Sequence, residues 1–411
     1  MTASPKTPIA MLAASLLLAL TAAPGFGAAQ ADKQNDQLVE AYNQSGFALF
    51  GQLAAKPGNL VISPYSIGTA MAMALEGARG KTQAEMARVL RQTLAGADMA
   101  AANQRLSATL TGKSAEQDAT VAIANALHLT HGGANVADSY KQLLHEKFAA
   151  ELFANSDLAA INKWVSEKTN GKIEKILSKL DPRSVCVILN AVYFKGTWVT
   201  AFDKSRTAPA AFHLSKSETV DVPMMHQSGK FRMQHGAGFD AIALPYQGGR
   251  LTMFILLPEE LADRGQAAIK LEENTVASTV AQLRNAQPKD VKLSMPKFKM
   301  AFGADLIPSF TQLGMRLAFD ADGADFSGIT GSAQDSGRLH ISQIQHRAVI
   351  DVGEAGTEAA AATAVEAAAR SMVVGHTPEF KIDRPFLYLI ADETSGAILF
   401  MGRMTDPRPH G

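Results

Sequence analysis

The chain has 411 residues and a single cysteine, Cys186, so it can form no internal disulfide. It has no excess of charge, with 39 Lys and Arg against 39 Asp and Glu. That balance removes most of the electrostatic case for binding nucleic acid or an anionic membrane surface. There is no internal repeat, no Pro/Ser-rich linker and no G-x-S-x-G nucleophile motif. Without disulfides, stability has to come from a core. A composition 47% hydrophobic and 19% charged is that of a globular chain. Length alone suggests two or three units of about 150 residues each, but with no linker to divide them a single large unit fits better.

What is present begins with a targeting segment. The apolar stretch Ile9–Leu20 is uncharged, follows Lys6, and gives way to small residues ending in Ala29-Gln30-Ala31. A positive start, a short apolar run and an A-x-A site are the grammar of a secretory signal peptide. The run falls short of the ~20 residues that span a bilayer. Cys186 is far from this site, so there is no cysteine for a lipoprotein anchor. The expectation is a signal peptide over 1–31 and a soluble domain over 32–411, secreted to an extracellular or periplasmic space. Cys186 lies in Val185-Cys186-Val187-Ile188-Leu189 and reads as a small buried hydrophobe.

The N-terminal third reads helical. Leu38, Tyr42, Leu49, Phe50 and Leu53 recur at helical spacing, Ile67–Ala78 is rich in Met and Ala, and Thr82-Gln83-Ala84-Glu85 has the form of a capping box opening a further helix. From Val185 the texture changes to short apolar segments: Val187–Phe194, Phe239–Tyr246, Leu251–Leu257, Val291–Met300 and Phe386–Ile390. These read as strands, several buried on both faces. Helical patterns return at Leu158–Glu167 and around Leu271–Leu283. The interleaving suggests one α+β unit.

Glu354–Arg370 has almost no side chain large enough to anchor a core. At a period of two, Thr357, Ala359, Ala361, Thr363, Val365, Ala367 and Ala369 form a small, uncharged face, with Glu358, Glu366 and Arg370 on the other. Such a segment can enter a sheet as a central strand at little steric cost. The same charges share one arc of a helical wheel and alanine favours helix, so periodicity leaves strand, helix and linker open.

Three other motifs carry less. Gly77-Ala-Arg-Gly-Lys-Thr82 resembles the tail of a phosphate-binding loop, but Leu75 stands where a Gly is needed and a helix precedes it. Asp320-Ala-Asp-Gly-Ala-Asp325 is spaced like part of a calcium loop, yet its Gly is misplaced and the closing Glu is missing, so it reads as a solvated turn. A serine hydrolase would have to be assembled from Ser63 or Ser66 with His346, and activity on an ester would reveal it.

Five segments, in order, carry a family resemblance. They are Asn59-Leu-Val-Ile-Ser-Pro-Tyr-Ser-Ile-Gly, Leu189-Asn-Ala-Val-Tyr-Phe-Lys-Gly-Thr-Trp198, Ile344-Gln-His-Arg-Ala-Val-Ile-Asp-Val-Gly-Glu-Ala-Gly-Thr-Glu-Ala, Asp383-Arg-Pro-Phe-Leu and Phe400-Met-Gly-Arg. Over essentially the whole of 32–411 the chain resembles the serpins. The resemblance implies three β-sheets, eight or nine helices and an exposed reactive loop, here about 354–378. It implies a hinge of Glu354, Gly356, Thr357, Glu358, Ala359, Ala360, Ala361, Ala362 and Thr363. Ser63, Ser66, Asn190 and His346 match the polar cluster under the sheet known as the shutter, and Trp198 matches the residue at the top of the sheet, the breach, where insertion begins.

In the family the scissile bond lies sixteen residues past the hinge Glu, which falls here on Arg370-Ser371. An Arg at that position suits a trypsin-like serine protease whose pocket holds a carboxylate. The family mechanism is that of a suicide substrate rather than an enzyme: the cut loop inserts as a strand and traps the acyl-enzyme. The hinge has no proline or charge where the first inserting side chains must be buried, which fits the family's inhibitory pattern; a non-inhibitory carrier or chaperone is the alternative. By the family's spacing, the span from Arg370 to Pro385-Phe386, with Met372–Pro378 in between, is several residues longer than in some relatives, and a displaced loop would move the bond to Met372 or Val373. No metal or other cofactor is expected, and a monomer is. The helix candidate around 98–112 carries only Arg105 as a base, so a polyanion cofactor is not expected unless distant residues assemble its site.

Overall fold

The computed structural model describes residues 24–111, 119–130, 136–154, 156–180, 185–236, 238–261, 272–331, 339–357 and 377–409. Residues 1–23 of the expected signal peptide lie outside that set.

The chain opens with α1 (Pro24–Leu53), β1 (Leu60–Ile62), α2 (Pro64–Gly77), α3 (Gly80–Val89) and α4 (Gly96–Thr111). It continues through β2 (Ala119–Leu129), α5 (Asp138–Phe148), β3 (Glu151–Ala154), α6 (Leu158–Lys168) and β4 (Cys186–Thr197). A run of strands follows: β5 (Ala208–His213), β6 (Thr219–Gly236), β7 (Phe239–Pro245) and β8 (Leu251–Pro258). Next come α7 (Glu273–Asn285), β9 (Lys289–Pro296), β10 (Phe298–Asp305), α8 (Ile307–Gln312) and α9 (Ser327–Thr330). The chain closes with β11 (Ile341–Gly353), β12 (Gly356–Thr357), β13 (Glu379–Lys381), β14 (Phe386–Asp392) and β15 (Ile398–Met404). These are nine α-helices among the described residues, within the expected range.

The strands form two hydrogen-bonded networks. The first has the order β10-β11-β12-β4-β2-β3, with β11 also paired to β4. The second runs β1-β15-β14-β8-β7-β6-β9-β13, with β5 on β6. The three expected sheets are present, and two of them share β6, which joins them into one hydrogen-bonded network. The N-terminal half of β6 pairs with β5 and β9 and its C-terminal half pairs with β7, so one strand belongs to two sheets. That 18-residue strand contains Pro223 and Gly229, which conceal it from a reading by apolar runs.

Local chemistry sets the helix starts. Ser63 caps α2 by accepting the Ser66 N–H at 3.1 Å, and Pro64 occupies the first turn, where a missing N–H costs nothing. Nearly every α2 residue is buried, as expected of a helix apolar on all sides. The Thr82–Glu85 box does not cap a helix. α3 already starts at Gly80, with φ +55° just before its first turn, and both side chains reach elsewhere. Thr82 Oγ1 accepts the Asp325 N–H, while Glu85 accepts those of Arg316 and Leu317. The Val291–Met300 segment, read as one strand, is two. β9 pairs with β6 and β10 with β11, and Lys297 stands at the break.

β4 is the center of the first sheet and is buried along nearly its whole length. One face is covered by Ile161, Val165, Ile173, Ile176 and Leu177 from α6 and the strap that follows it. The other faces the main core, where Phe194 meets Tyr246 edge-on at 5.0 Å and Phe400 at 5.9 Å. Phe194 thus ties the two sheets together. Phe194→Ala should lower the unfolding free energy by about 3–5 kcal/mol, seen as an earlier urea midpoint at unchanged slope.

Candidate functional site

The site is the seam between β4 and β11. The two strands pair in parallel from Ile341↔Cys186 to Ile350↔Phe194. Above that they diverge, and β12 sits between them, antiparallel to both. Gly356 and Thr357 are therefore already strand residues, with Gly356 opposite Gly353 on one side and Thr357 opposite Gly196 on the other. The hinge of the sequence reading begins inside the sheet.

Packing explains why Gly356 must be glycine. Its φ is +139°, and a Cβ there would lie 2.0 Å from the Gly196 carbonyl oxygen and 2.6 Å from Thr197 Cα. The chain arrives at this position through Glu354, which is buried despite its charge. Its carboxylate accepts from Lys297 Nζ at 3.0 Å and from Thr207 Oγ1 at 3.1 Å. Burial alone would raise its pKa, but hydrogen bonds from its own backbone N–H, Lys297 and Thr207 outweigh it and hold the carboxyl below the usual range.

Trp198, only 2% exposed, fixes the opening. Its backbone N–H donates to the Ala355 carbonyl at 3.0 Å and its indole N–H to the Gly353 carbonyl at 3.1 Å. Its ring stacks on Tyr246 with centroids 4.3 Å apart and planes 17° apart. Sequence reasoning found Trp198 and Glu354 but not Lys297, Thr207 or Tyr246. No local pattern distinguishes these three, because only the fold brings them to the hinge.

Farther down the seam is a polar row. Asn125, Asn190 and His346 lie opposite one another on β2, β4 and β11. Asn190 Nδ2 donates to Asn125 Oδ1 at 2.5 Å, Ser66 Oγ at 2.6 Å and the Ser66 carbonyl at 3.0 Å, while His346 Nδ1 meets Asn190 Oδ1 at 2.5 Å. All of these groups are buried. Ser63 joins through its cap on Ser66. The four expected residues are brought together, and Asn125 completes them. Its signal was a lone amide on the alanine-rich strand Ala122–Ala126. These partners leave Ser63 and Ser66 in a hydrogen-bonded network below the sheet.

Burial lowers the His346 pKa to about 3, so the imidazole is neutral and donates from Nδ1 to the amide oxygen. Cys186, also buried, has its thiol pushed up to about 12, in keeping with a core residue. In the Asp320–Asp325 segment, the Asp320 and Asp325 carboxylates accept backbone N–H groups within the turn. Glu358 to Thr363, Arg370, Ser371, Met372 and Val373 lie outside the described residues.

The family model for "Serpin (serine protease inhibitor)" matches residues 40–407. The chain is a serpin. A serpin-like protein of Thermococcus kodakarensis is 39% identical over 385 residues, covering 91% of this chain and 87% of that protein. The leukocyte elastase inhibitor of Bos taurus is 36% identical over 367 residues, covering 85% and 93%. The crystal structure of human thyroxine-binding globulin complexed with its ligand aligns with a TM-score of 0.80 at 27% identity, covering 92% of this serpin and all of that chain. Similar proteins therefore include an elastase inhibitor and a thyroxine-binding globulin.

Two outcomes are expected for this serpin. An unfolded His346 takes up a proton near pH 6.5 and the folded one only near 3, so stability should fall as pH drops through that window. Melting temperature measured from pH 7 to 4 should decline less steeply in His346→Asn than in the wild type. Asn190→Ala should destabilize the native sheet by about 1–3 kcal/mol for each buried partner left unpaired, read from urea unfolding.

Proposed function

We propose that this serpin is a secreted suicide inhibitor of a trypsin-like serine protease, cleaved at Arg370-Ser371. The observation that carries the proposal is the seating of Gly356–Thr357 between β4 and β11. A strand already started there has only to continue. The 14 residues 357–370 are long enough to run beside the 12 residues of β4 and the 13 of β11. At a period of two, one face of this segment is alanine, threonine and valine, which a central strand can bury at little steric cost.

The chemistry follows from ordinary proteolysis. The protease serine attacks the Arg370 carbonyl carbon, the Arg370–Ser371 bond breaks, and the Ser371 amine leaves with the proton supplied by the protease histidine. Arg370 remains esterified to the protease. The freed segment then adds as an antiparallel strand to both β4 and β11, exchanging one parallel ladder for two antiparallel ones. Insertion carries the acylated protease along. If its oxyanion hole is distorted, losing one donor alone slows deacylation by about 10²–10³. Export through the 1–31 segment would place the inhibitor where it meets extracellular or periplasmic proteases.

The test is to mix the 32–411 chain with trypsin at equal molarity and analyze the products on a denaturing gel. An SDS-stable band near the summed mass is expected, together with a released fragment starting at Ser371. Cleavage without a complex would favor the carrier reading that the thyroxine-binding relative represents. Thr357→Arg forces a charge into the advancing strand and should convert the inhibitor to a substrate, with cleavage retained and the complex lost. Gly356→Val should do the same by its clash with Gly196, measured as a raised stoichiometry of inhibition.

A further inference from the structure

At the C-terminal end of α2, the helices α2, α3 and α4 leave a cavity of about 270 Å³ between them. Of the residues that line it, Glu76 is the only one with a charge. Its Oε1 is buried and finds no hydrogen-bond partner among the described residues. Each donor that shares its electrostatic surroundings is committed elsewhere. Arg79 donates to the Glu76 and Ala78 backbone carbonyls at 2.8 and 2.7 Å. The Tyr42 hydroxyl donates to Asn103 at 2.7 Å, and that of Tyr140 to the Met73 carbonyl at 2.8 Å. α3 and α4 begin at Gly80 and Gly96 on the border of the cavity, yet no N–H of either reaches Oε1.

A carboxylate in this setting is disfavored twice. Burial penalizes its charge and raises its pKa to about 7, with only partial relief from the Arg79 guanidinium. It also stands in the last turn of α2, at the negative end of the helix dipole. The position therefore suits a cation that comes from outside the chain. Gly77–Thr82, whose spacing resembles part of a phosphate-binding loop, borders the same cavity through Gly80. Glu76 gives the place the wrong sign for phosphate, and Thr82 Oγ1 is taken by the Asp325 N–H.

The rest of the lining chooses among cations. Gln83 and Gln92 bring carboxamides, while Ala84, Ala87, Leu94 and Met99 bring apolar walls. One carboxylate among such walls is a poor match for a metal ion that takes six or more oxygen ligands, as calcium does, and a good one for an ammonium on an alkyl stem. The volume lies just under the ~300–1,000 Å³ of sites for drug-sized molecules, so that stem is short.

We propose that this cavity binds a short aliphatic amine, with its ammonium on Glu76 and its methylene groups against Ala84, Ala87 and Met99. No residue of the β4–β11 seam lines the cavity, so the site is independent of the inhibitor reading.

The probe is 1,4-diaminobutane, titrated by calorimetry into the 32–411 chain at pH 8, with 1,4-butanediol as its uncharged counterpart. The diamine should bind saturably with 1:1 stoichiometry and raise the melting temperature, and the diol should do neither. E76Q should weaken binding about tenfold or more, the loss of a charge-assisted contact. That variant should melt no lower than the wild type, because it removes an unpaired charge, so its lost binding is not a loss of fold. A87L keeps Glu76 but fills the cavity and should also weaken binding. E167Q, at an exposed glutamate of α6, should leave it unchanged. From pH 8 to pH 6 the affinity should fall about tenfold, since the amine keeps its proton while Glu76 gains one. No saturable binding of the diamine, equal binding of the diol, or binding that survives E76Q overturns the site, as does an equal loss in E167Q.

Discussion

The hydrogen bond between Asn190 and His346 is the interaction on which the rest depends, because it joins the two strands that β12 holds apart farther up. Its position constrains the design of the whole sheet. β4 and β11 pair in parallel, the weaker arrangement per residue, and the strand that enters between them is antiparallel to both. The closed sheet is thus a state that a better-paired sheet can replace. A buried polar row holds it closed with directional bonds rather than with apolar packing. Such bonds resist partial opening, since each broken one strands a buried donor or acceptor.

The top of the seam works by the opposite logic. Trp198, Glu354 and Gly356 keep the strands apart there. The indole N–H and the backbone of Trp198 take up carbonyls of the incoming chain, and the Glu354–Lys297 pair anchors the chain just before it enters. Gly356 passes where no side chain fits. The seam is thus parted at its top, where β12 lies, and hydrogen-bonded lower down.

Much of this was legible in the sequence, for identifiable physical reasons. Continuous apolar runs such as Val187–Phe194 mark strands buried on both faces, and β4 is one. Ser63, Ser66, Asn190, His346 and Trp198 were found through motifs whose order along the chain mirrors their meeting in space. Asn125 was missed because one amide on an alanine-rich strand gives no periodic signal. Lys297 was missed because it sits at a break between two strands that the hydrophobic pattern merges. The capping box at Thr82 misled because its two polar side chains bond to residues near 316 and 325, more than two hundred positions away. β6, which two of the three sheets share, was missed because it alternates too weakly to be read as one strand.

The most direct measurement compares thermal melting of the intact chain with that of the same chain nicked within the reactive loop by a protease. If the β4–β11 seam is a replaceable pairing, the nicked protein gains a central strand and should melt well above the intact one. Equal melting temperatures, or a lower one for the nicked protein, would contradict the view that this sheet is built to open.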